Sequence, residues 1–390
     1  MSKRILIFSI AYEPLIGGAE LAVRNITDRL SNYTFDLVTC RFDRRHKAFE
    51  KIGNINVYRV GFDISRWRIG RFLYPLFAFR LAKKLHRQNP YQIVWSIMAA
   101  YAGAAALLFL RRFPKIKFLL TLQEGDPISH IHGRVRGFRK AWQTVFRRAD
   151  YIQAISRFLA DWARQEGAVC PIEIVPNGVE TKNFQFSMSN FQSNPNDQIF
   201  KIITVSRLVH KNAVDILIRA AAILKTHIPH STFHIQIAGS GPEESKLKQL
   251  VKDLKIEDQV HFLGSITQDE LPQYLSEADI FVRPSRSEGL GTAFLEAMAA
   301  GLPVIGTAVG GIPDFLVDYN AKTAKEDAKN ANGMFCKPED PEDLADKINQ
   351  LMEDAELRIQ LGQTGRRLME EKYSWDRVAR QMQAIFAKLC

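Results

Sequence analysis

The chain has 390 residues, 46% of them hydrophobic and 24% charged, with a formal net charge of +11. That length gives room for two separately cored domains, and the composition excludes a disordered, fibrous or disulfide-built protein. Cys40, Cys170, Cys336 and Cys390 are scattered without metal-ligand spacing, which suits a reducing cytoplasm.

"MSKRILIFSI" begins with two cations and an apolar run the length of a buried strand, too short for a signal peptide. "PLIGGAE" follows, with Gly17 and Gly18 in a loop that a plain turn explains equally well. The strands "FDLVTC", "YQIVWSI", "KFLLTL", "YIQAIS" and "IEIVP" then alternate with helix-length segments. Residues 93–110 carry no formal charge and sit at the lower length limit for a membrane span. The continuing alternation on both sides favours a buried strand and an alanine-rich helix ended by Arg111 and Arg112.

Charge is unevenly placed: residues 1–170 hold 29 Lys and Arg against 12 Asp and Glu, and the remainder 24 against 30. The first half is therefore expected to meet an anionic partner: a membrane surface, a phosphorylated substrate or nucleic acid. Segments 66–87 and 130–142 interleave aromatics with cations. Interfacial docking on anionic lipid is one reading, and a packed helix with a solvated basic side is the other.

Residues 184–197, "FQFSMSNFQSNPND", are polar and read as a linker. Beyond them "FKIITVS", "FHIQIAG", "VHFLG", "IFVRPS" and "PVIGT" repeat the strand scheme. Near-continuous apolar strands in βα alternation predict parallel sheets covered on both faces. The expected architecture is α/β: two Rossmann-like doubly wound domains, 1–183 and 198–372, facing each other across a cleft. Ligands in such sheets bind outside the carboxyl ends of the strands. Residues 320–333 have no apolar stripe and are expected to be a solvent-exposed excursion. "YSWDRVARQMQAIFAKL" is an amphipathic helix anchored by Trp375.

Three features of the second half suit a ligand bearing a diphosphate. Arg207 and Lys211 follow a strand end, four positions apart, and can clamp a diphosphate by charge-assisted hydrogen bonds. Gly239 and Gly241 in "AGSGPEE" allow backbone to approach a ligand, though tight turning alone also explains them. In "SEGLGTAFLEAMAAG" Glu288 lies in a loop and Glu296 on the second turn of a helix starting at Thr292. Free N–H groups at that helix start favour anionic or hydroxyl oxygens, and each carboxylate can accept two hydrogen bonds from a vicinal diol.

The order "GGAE", "ISRF", "VPNGV", "SRLVHKNAVD", "AGSGPEE", "VHFLG", "PSRSEGLGTAFLEAMAAGLPVIGTAVGGIPD" resembles glycosyltransferase family 4, retaining nucleotide-sugar transferases of the GT-B fold. The likeness spans nearly the whole chain and is most specific over 203–314. It implies that Glu296 binds the nucleotide ribose and that Glu288 faces the transferred sugar, helped by backbone around Gly289, Leu290, Gly291 and Thr292. It implies further that Arg207 and Lys211 neutralise the departing diphosphate, and that Gly17 and Gly18 lie over the donor phosphates. Gly239 and Leu263 join the donor-binding set on the same ground. The last helix, 373–390, is implied to cross back to an acceptor-binding first domain.

Two positions depart from the family. Gln123 stands where a donor-sugar His is common. Gln hydrogen-bonds but carries no proton at neutral pH, so it reads as a sugar-positioning residue with Glu124 beside it. Ala213 stands where Gly is common. No Asp-x-Asp motif stands at a strand end, and no metal or other cofactor is expected. The reading is a metal-independent hexosyltransferase of the cytoplasm, peripheral on the inner face of the membrane. It would move sugar from UDP-glucose to a glycan or a polyprenyl-diphosphate-linked sugar in polysaccharide assembly.

Among rivals, a dinucleotide oxidoreductase needs G-x-G-x-x-G after the first strand, which is missing. A nucleic-acid module leaves the paired acids unexplained, and no nucleic acid is expected as partner. A catalytically silent sugar-nucleotide-binding protein stays open because of Gln123.

Overall fold

The computed structural model describes residues 3–15, 17–61, 69–184, 199–227, 232–321 and 330–390. Two units emerge: Met1–Glu124, Ile128–Gly178 and Trp375–Cys390 form the first, Gly125–Pro127 and Val179–Ser374 the second. Val179 pairs with Ser374 and donates its N–H to Tyr373 O at 2.7 Å, so the chain enters and leaves the second unit side by side.

The first unit is built on eight strands: β1 (Lys3–Phe8), β2 (Tyr33–Cys40), β3 (Phe49–Ile52), β4 (Ile55–Val60), β5 (Ile93–Ile97), β6 (Lys117–Leu122), β7 (Tyr151–Ala154) and β8 (Ile172–Ile174). Their order is β3-β4-β2-β1-β5-β6-β7-β8, parallel except for β3 against β4. Central strands read as apolar runs because helices cover both faces; Ile5, Leu6, Ile7 and Phe8 are all fully buried. Apolar runs reveal neither β3 nor β4. β4 alternates buried and half-buried positions, and β3 is an edge strand with Phe49 in solvent.

Residues 93–112 resolve into β5 and the helix Tyr101–Arg112, and no described helix is long and apolar enough to cross a membrane. The tail forms the helix Trp375–Leu389, whose buried face runs through Trp375, Val378, Ala379, Met382, Ile385, Phe386 and Leu389. Phe386 meets Trp95 of β5 edge-on at 5.3 Å and Tyr33 of β2 at 5.5 Å, so this helix completes the first core.

The second unit carries β9 (Ile199–Val205), β10 (Thr232–Ala238), β11 (Val260–Gly264), β12 (Ile280–Arg283), β13 (Val304–Thr307) and β14 (Gly333–Cys336), all parallel in the order β11-β10-β9-β12-β13-β14. β14 and the residues before it correct the expectation for 320–333. Ala331 and Asn332 are buried, and the Asn332 amide donates to Phe315 O at 2.8 Å and accepts from Val317 N–H at 2.9 Å. One polar side chain there supplies the backbone partners that a loop inside a core would otherwise lack. Residues 322–329 of that segment lie outside the described residues, as do 185–197 of the linker and 66–68 of the basic segment.

Each sheet has one place where strand order reverses. In the first, β1 connects outward to β2 on one side while β5 lies on the other; in the second, β9 separates β10 from β12. Loops leaving such neighbouring strands diverge and open a crevice at the carboxyl edge.

Candidate active site

In the second unit, Arg207 and Lys211 come from the loop after β9, and Arg283 through Glu288 from the end of β12, its neighbour. The reversal between these strands thus brings both groups to one crevice. Glycine makes the β9 loop possible. A Cβ on Gly239 would stand 1.9 Å from Ser206 O, and Gly239 has φ +138°, so only glycine fits. Leu208 N–H donates to Ser240 O at 2.9 Å, which holds the Arg207 loop against the loop after β10. Gly239 therefore has a full structural reason in shaping the loop that presents Arg207.

The Arg207 side chain is exposed, while Lys211 keeps about a quarter of its side-chain surface and lies 3.6 Å from Asp126. Arg286, which sequence reasoning passed over, fixes the Lys211 segment. Its N–H donates to Lys211 O at 2.7 Å, and its guanidinium holds His210 O at 2.7 Å and both Asp215 oxygens at 2.8 Å. Burial raises the Asp215 pKa, but Arg286 outweighs it and leaves the carboxyl below its ordinary value. Between them Ala213 takes φ +53°, ψ +36°, a left-handed conformation that explains why glycine suits the position.

The opposite wall is the helix Thr292–Ala299, capped by Gly291 at φ +96°. That conformation turns the chain from the Glu288 loop into the helix, and a side chain there would meet Phe294 at 2.9 Å. Gly289 and Leu290 are buried. Leu263, at the end of β11, is half-buried. Glu296 is half-buried, and burial pushes its pKa up to about 7, against the pull of Arg283 and a hydrogen bond from Gln268.

Arg283 is the residue the sequence hid most thoroughly. It ends a buried strand and is itself 6% exposed, yet it donates to Glu288 Oε2, to Ser285 Oγ at 3.3 Å and to Val205 O at 3.3 Å. The signal was a cation inside an apolar run, a rare placement for an unpaired charge.

Two family models match, "Glycosyltransferase Family 4" over 16–183 and "Glycosyl transferases group 1" over 186–368. The chain belongs to the family 4 glycosyltransferases. It is 26% identical to a GDP-mannose-dependent monoacylated alpha-(1-6)-phosphatidylinositol monomannoside mannosyltransferase of Corynebacterium glutamicum, over 96% of this chain and 95% of that one. A sucrose-phosphate synthase from Thermosynechococcus elongatus superposes with TM-score 0.84 at 21% identity over 99% of each chain. Anabaena HepE, in complex with UDP-glucose, gives 0.77 at 17% over 99% of each. The two solved structures share the GT-B fold.

In the first unit of this glycosyltransferase, three predicted residues meet backbone or amide partners. Gln123 follows β6, and its Oε1 accepts from Asn177 Nδ2 at 3.1 Å, so the Gln123 amide N–H groups are turned outward from that bond. Glu124 accepts from Ala99 N–H and from Gln123 N–H, both at 2.9 Å, and so shapes the turn after β5. Gly17 caps the helix Gly18–Asp28, and the carboxylate of Glu20 accepts from Gly17 N–H and from its own N–H. This is half of a capping box, at the helix start that the Gly17–Gly18 pair leads into. No three His, Cys, Asp or Glu side chains among the described residues gather so as to hold a metal ion.

Proposed function

We propose that the chain is a retaining hexosyltransferase that binds a nucleoside-diphosphate sugar in the crevice between β9 and β12. One observation supports the reading: at the strand reversal β9 is followed by the two cations, and its neighbour β12 by Glu288 and the start of the helix that bears Glu296. Arg207 and Lys211 would take the charge that develops on the leaving diphosphate, and Glu296 the ribose diol. Glu288, with Gly289 to Thr292, would hold the sugar. Preorganised charge of this kind contributes about 3–4 kcal/mol per donor to an acyl or phosphoryl transition state, and the same electrostatics serve a glycosyl one. Gln123 would position the donor sugar, and the departing phosphate would take the acceptor's proton. Two cations standing where the diphosphate leaves support transfer without a metal; activity lost in excess EDTA and restored by Mg²⁺ would overturn that.

The donor is UDP-glucose on this reading, in keeping with the UDP-glucose bound by HepE; the mannosyltransferase relative makes GDP-mannose the rival. A thermal-shift panel of UDP, GDP, UDP-glucose and GDP-mannose decides. One sugar nucleotide is expected to raise the melting temperature, and a panel without any shift contradicts the assignment.

The acceptor is a glycan or a polyprenyl-diphosphate-linked sugar in polysaccharide assembly, reached from the cytoplasmic face of an anionic membrane. Helix Ile69–Gln88 supports this. It buries Tyr74, Ala78 and Ala82 and shows solvent a stripe that starts with Phe72, Leu73 and Leu76 and continues through Arg80, Lys84 and Arg87. An apolar end followed by cations suits an anionic interface. Flotation with anionic vesicles should fall in Phe72→Ser/Leu76→Ser; equal recovery on neutral and anionic lipid would end the docking proposal.

A further inference from the structure

A buried guanidinium, that of Arg283, lies beneath Glu288. Arg283 leaves the sheet at the end of β12 and packs over the Phe294 ring at 5.1 Å. It satisfies itself locally through Ser285 Oγ and Val205 O, the second of these on β9, and then commits one Nη2 bond to Glu288 Oε2. Ser285 is fully buried and holds Thr307 Oγ1 through its carbonyl, so the fork rests on a fixed base rather than on a mobile loop. Glu288 is itself 13% exposed in its side chain, so the pair is largely withdrawn from water. In such a place a bond between ionised partners is directional and costly to lose. With Oε2 engaged, Oε1 is the oxygen of Glu288 left to accept from a ligand. Three of the five N–H groups of Arg283 are taken among the described residues, and its charge also acts on Glu296, on the following helix.

Resting on the function proposed above, we propose that Arg283 is a positioning residue for the donor sugar: it pins one oxygen of Glu288 so that the other faces the hydroxyls of the transferred hexose. The guanidinium touches no substrate. Its effect therefore falls on ligands that carry the sugar and spares those that end at the diphosphate. A merely structural role would weaken both alike.

The experiment compares binding of a nucleoside diphosphate with binding of its sugar, using UDP with UDP-glucose and GDP with GDP-mannose, by calorimetry on the full chain. In Arg283→Gln the affinity for the sugar nucleotide relative to the free diphosphate is expected to fall about tenfold, the loss of one bond of this kind. Affinity for the diphosphate itself should change less than about threefold. Arg283→Lys, which keeps the charge and loses the fork, should fall between the two. Should Arg283→Gln fail to fold, Arg283→Lys is measured in the wild-type and Glu288→Gln backgrounds. Its effect on the ratio is expected in the first and absent in the second. An unchanged ratio, an equal loss for both ligands, or an effect that survives in Glu288→Gln overturns the role of Arg283. Wild-type protein that binds no member of either pair overturns instead the donor assignment on which the role rests.

Discussion

The two strand reversals of this molecule are alike in topology and differ in how far their charges are already engaged. At the first, between β1 and β5, acids close on backbone: Glu20 on Gly17 N–H, Glu124 on Ala99 N–H. In the loop after β1 Glu13 pairs with Arg24 and its carbonyl accepts from Arg59, so the cations there are already engaged, while Gln123 after β6 meets Asn177 after β8 without charge. At the second, between β9 and β12, cations stand beside acids, with Arg207 exposed, Lys211 reachable and Arg283 buried under Glu288. A shared α/β scaffold thus supplies two crevices, and on the function proposed above the second, with its exposed Arg207 and reachable Lys211, is the one that takes the diphosphate. The net basic charge of the first half is placed elsewhere, in part on the solvent stripe of helix Ile69–Gln88.

The strongest way to break this contrast is to remove a cation from the second crevice. Lys211→Ala should lower kcat/KM by about a hundredfold or more, on the scale of losing one preorganised donor. Glu20→Ala at the first crevice should change it less than tenfold, with its main effect on stability through the lost cap, about 1 kcal/mol. Equal losses in initial-rate assays of the two variants would erase the distinction.

A smaller effect sharpens it. Glu296 has its pKa raised to about 7 by burial, from an ordinary value of 4.5. The folded chain therefore holds a proton that the unfolded chain has released between pH 4.5 and about 7. Because the folded value is the higher one, the Glu296 contribution to stability falls as pH rises through that window. The melting temperature of wild type minus that of Glu296→Gln should decline from pH 5 to pH 8 in the absence of ligand. Sugar-nucleotide affinity should run the other way, rising with pH as the carboxylate becomes a full acceptor for the diol. A flat difference in both would remove Glu296 from the crevice chemistry.

Much of this was legible in the sequence, for identifiable reasons. Parallel strands announce themselves as apolar runs where helices cover both faces, as in β1, β2, β5 to β7, β12 and β13, and the edge strands β8 and β11 with β9 and β10 still kept enough apolar residues to be read. β3 and β4 form an edge whose alternation is half solvated, and β14 follows a polar segment whose last residues are buried only through the Asn332 amide. In the site, the paired acids and the Arg–Lys spacing stand within short segments and show as motifs. Arg283 shows locally only as a cation inside an apolar run, whereas Arg286 and Asn177 act through partners far away in the chain, Arg286 on Asp215 and Asn177 on Gln123. No local pattern marks such pairs. The cost of Ala213 was likewise invisible until its backbone was seen in the left-handed region.

The least effect belongs to that residue. Ala213→Gly relieves about 1–2 kcal/mol of left-handed strain. It gives up about 0.8 kcal/mol of buried methyl and about 0.5–1 kcal/mol to the freer unfolded chain. Denaturant melts should place the variant within about 1 kcal/mol of wild type, and a larger loss would mean that the methyl group is packed into something the strain argument omits.

The contrast between the crevices is tested most directly by a crystal structure of the chain with whichever of UDP-glucose or GDP-mannose raises its melting temperature. The diphosphate is expected beside Arg207 and Lys211, the ribose at Glu296 and the hexose at Glu288. Density for the diphosphate at the Gly17–Gly18 turn alone, or anywhere remote from Lys211 and Glu296, would contradict the account.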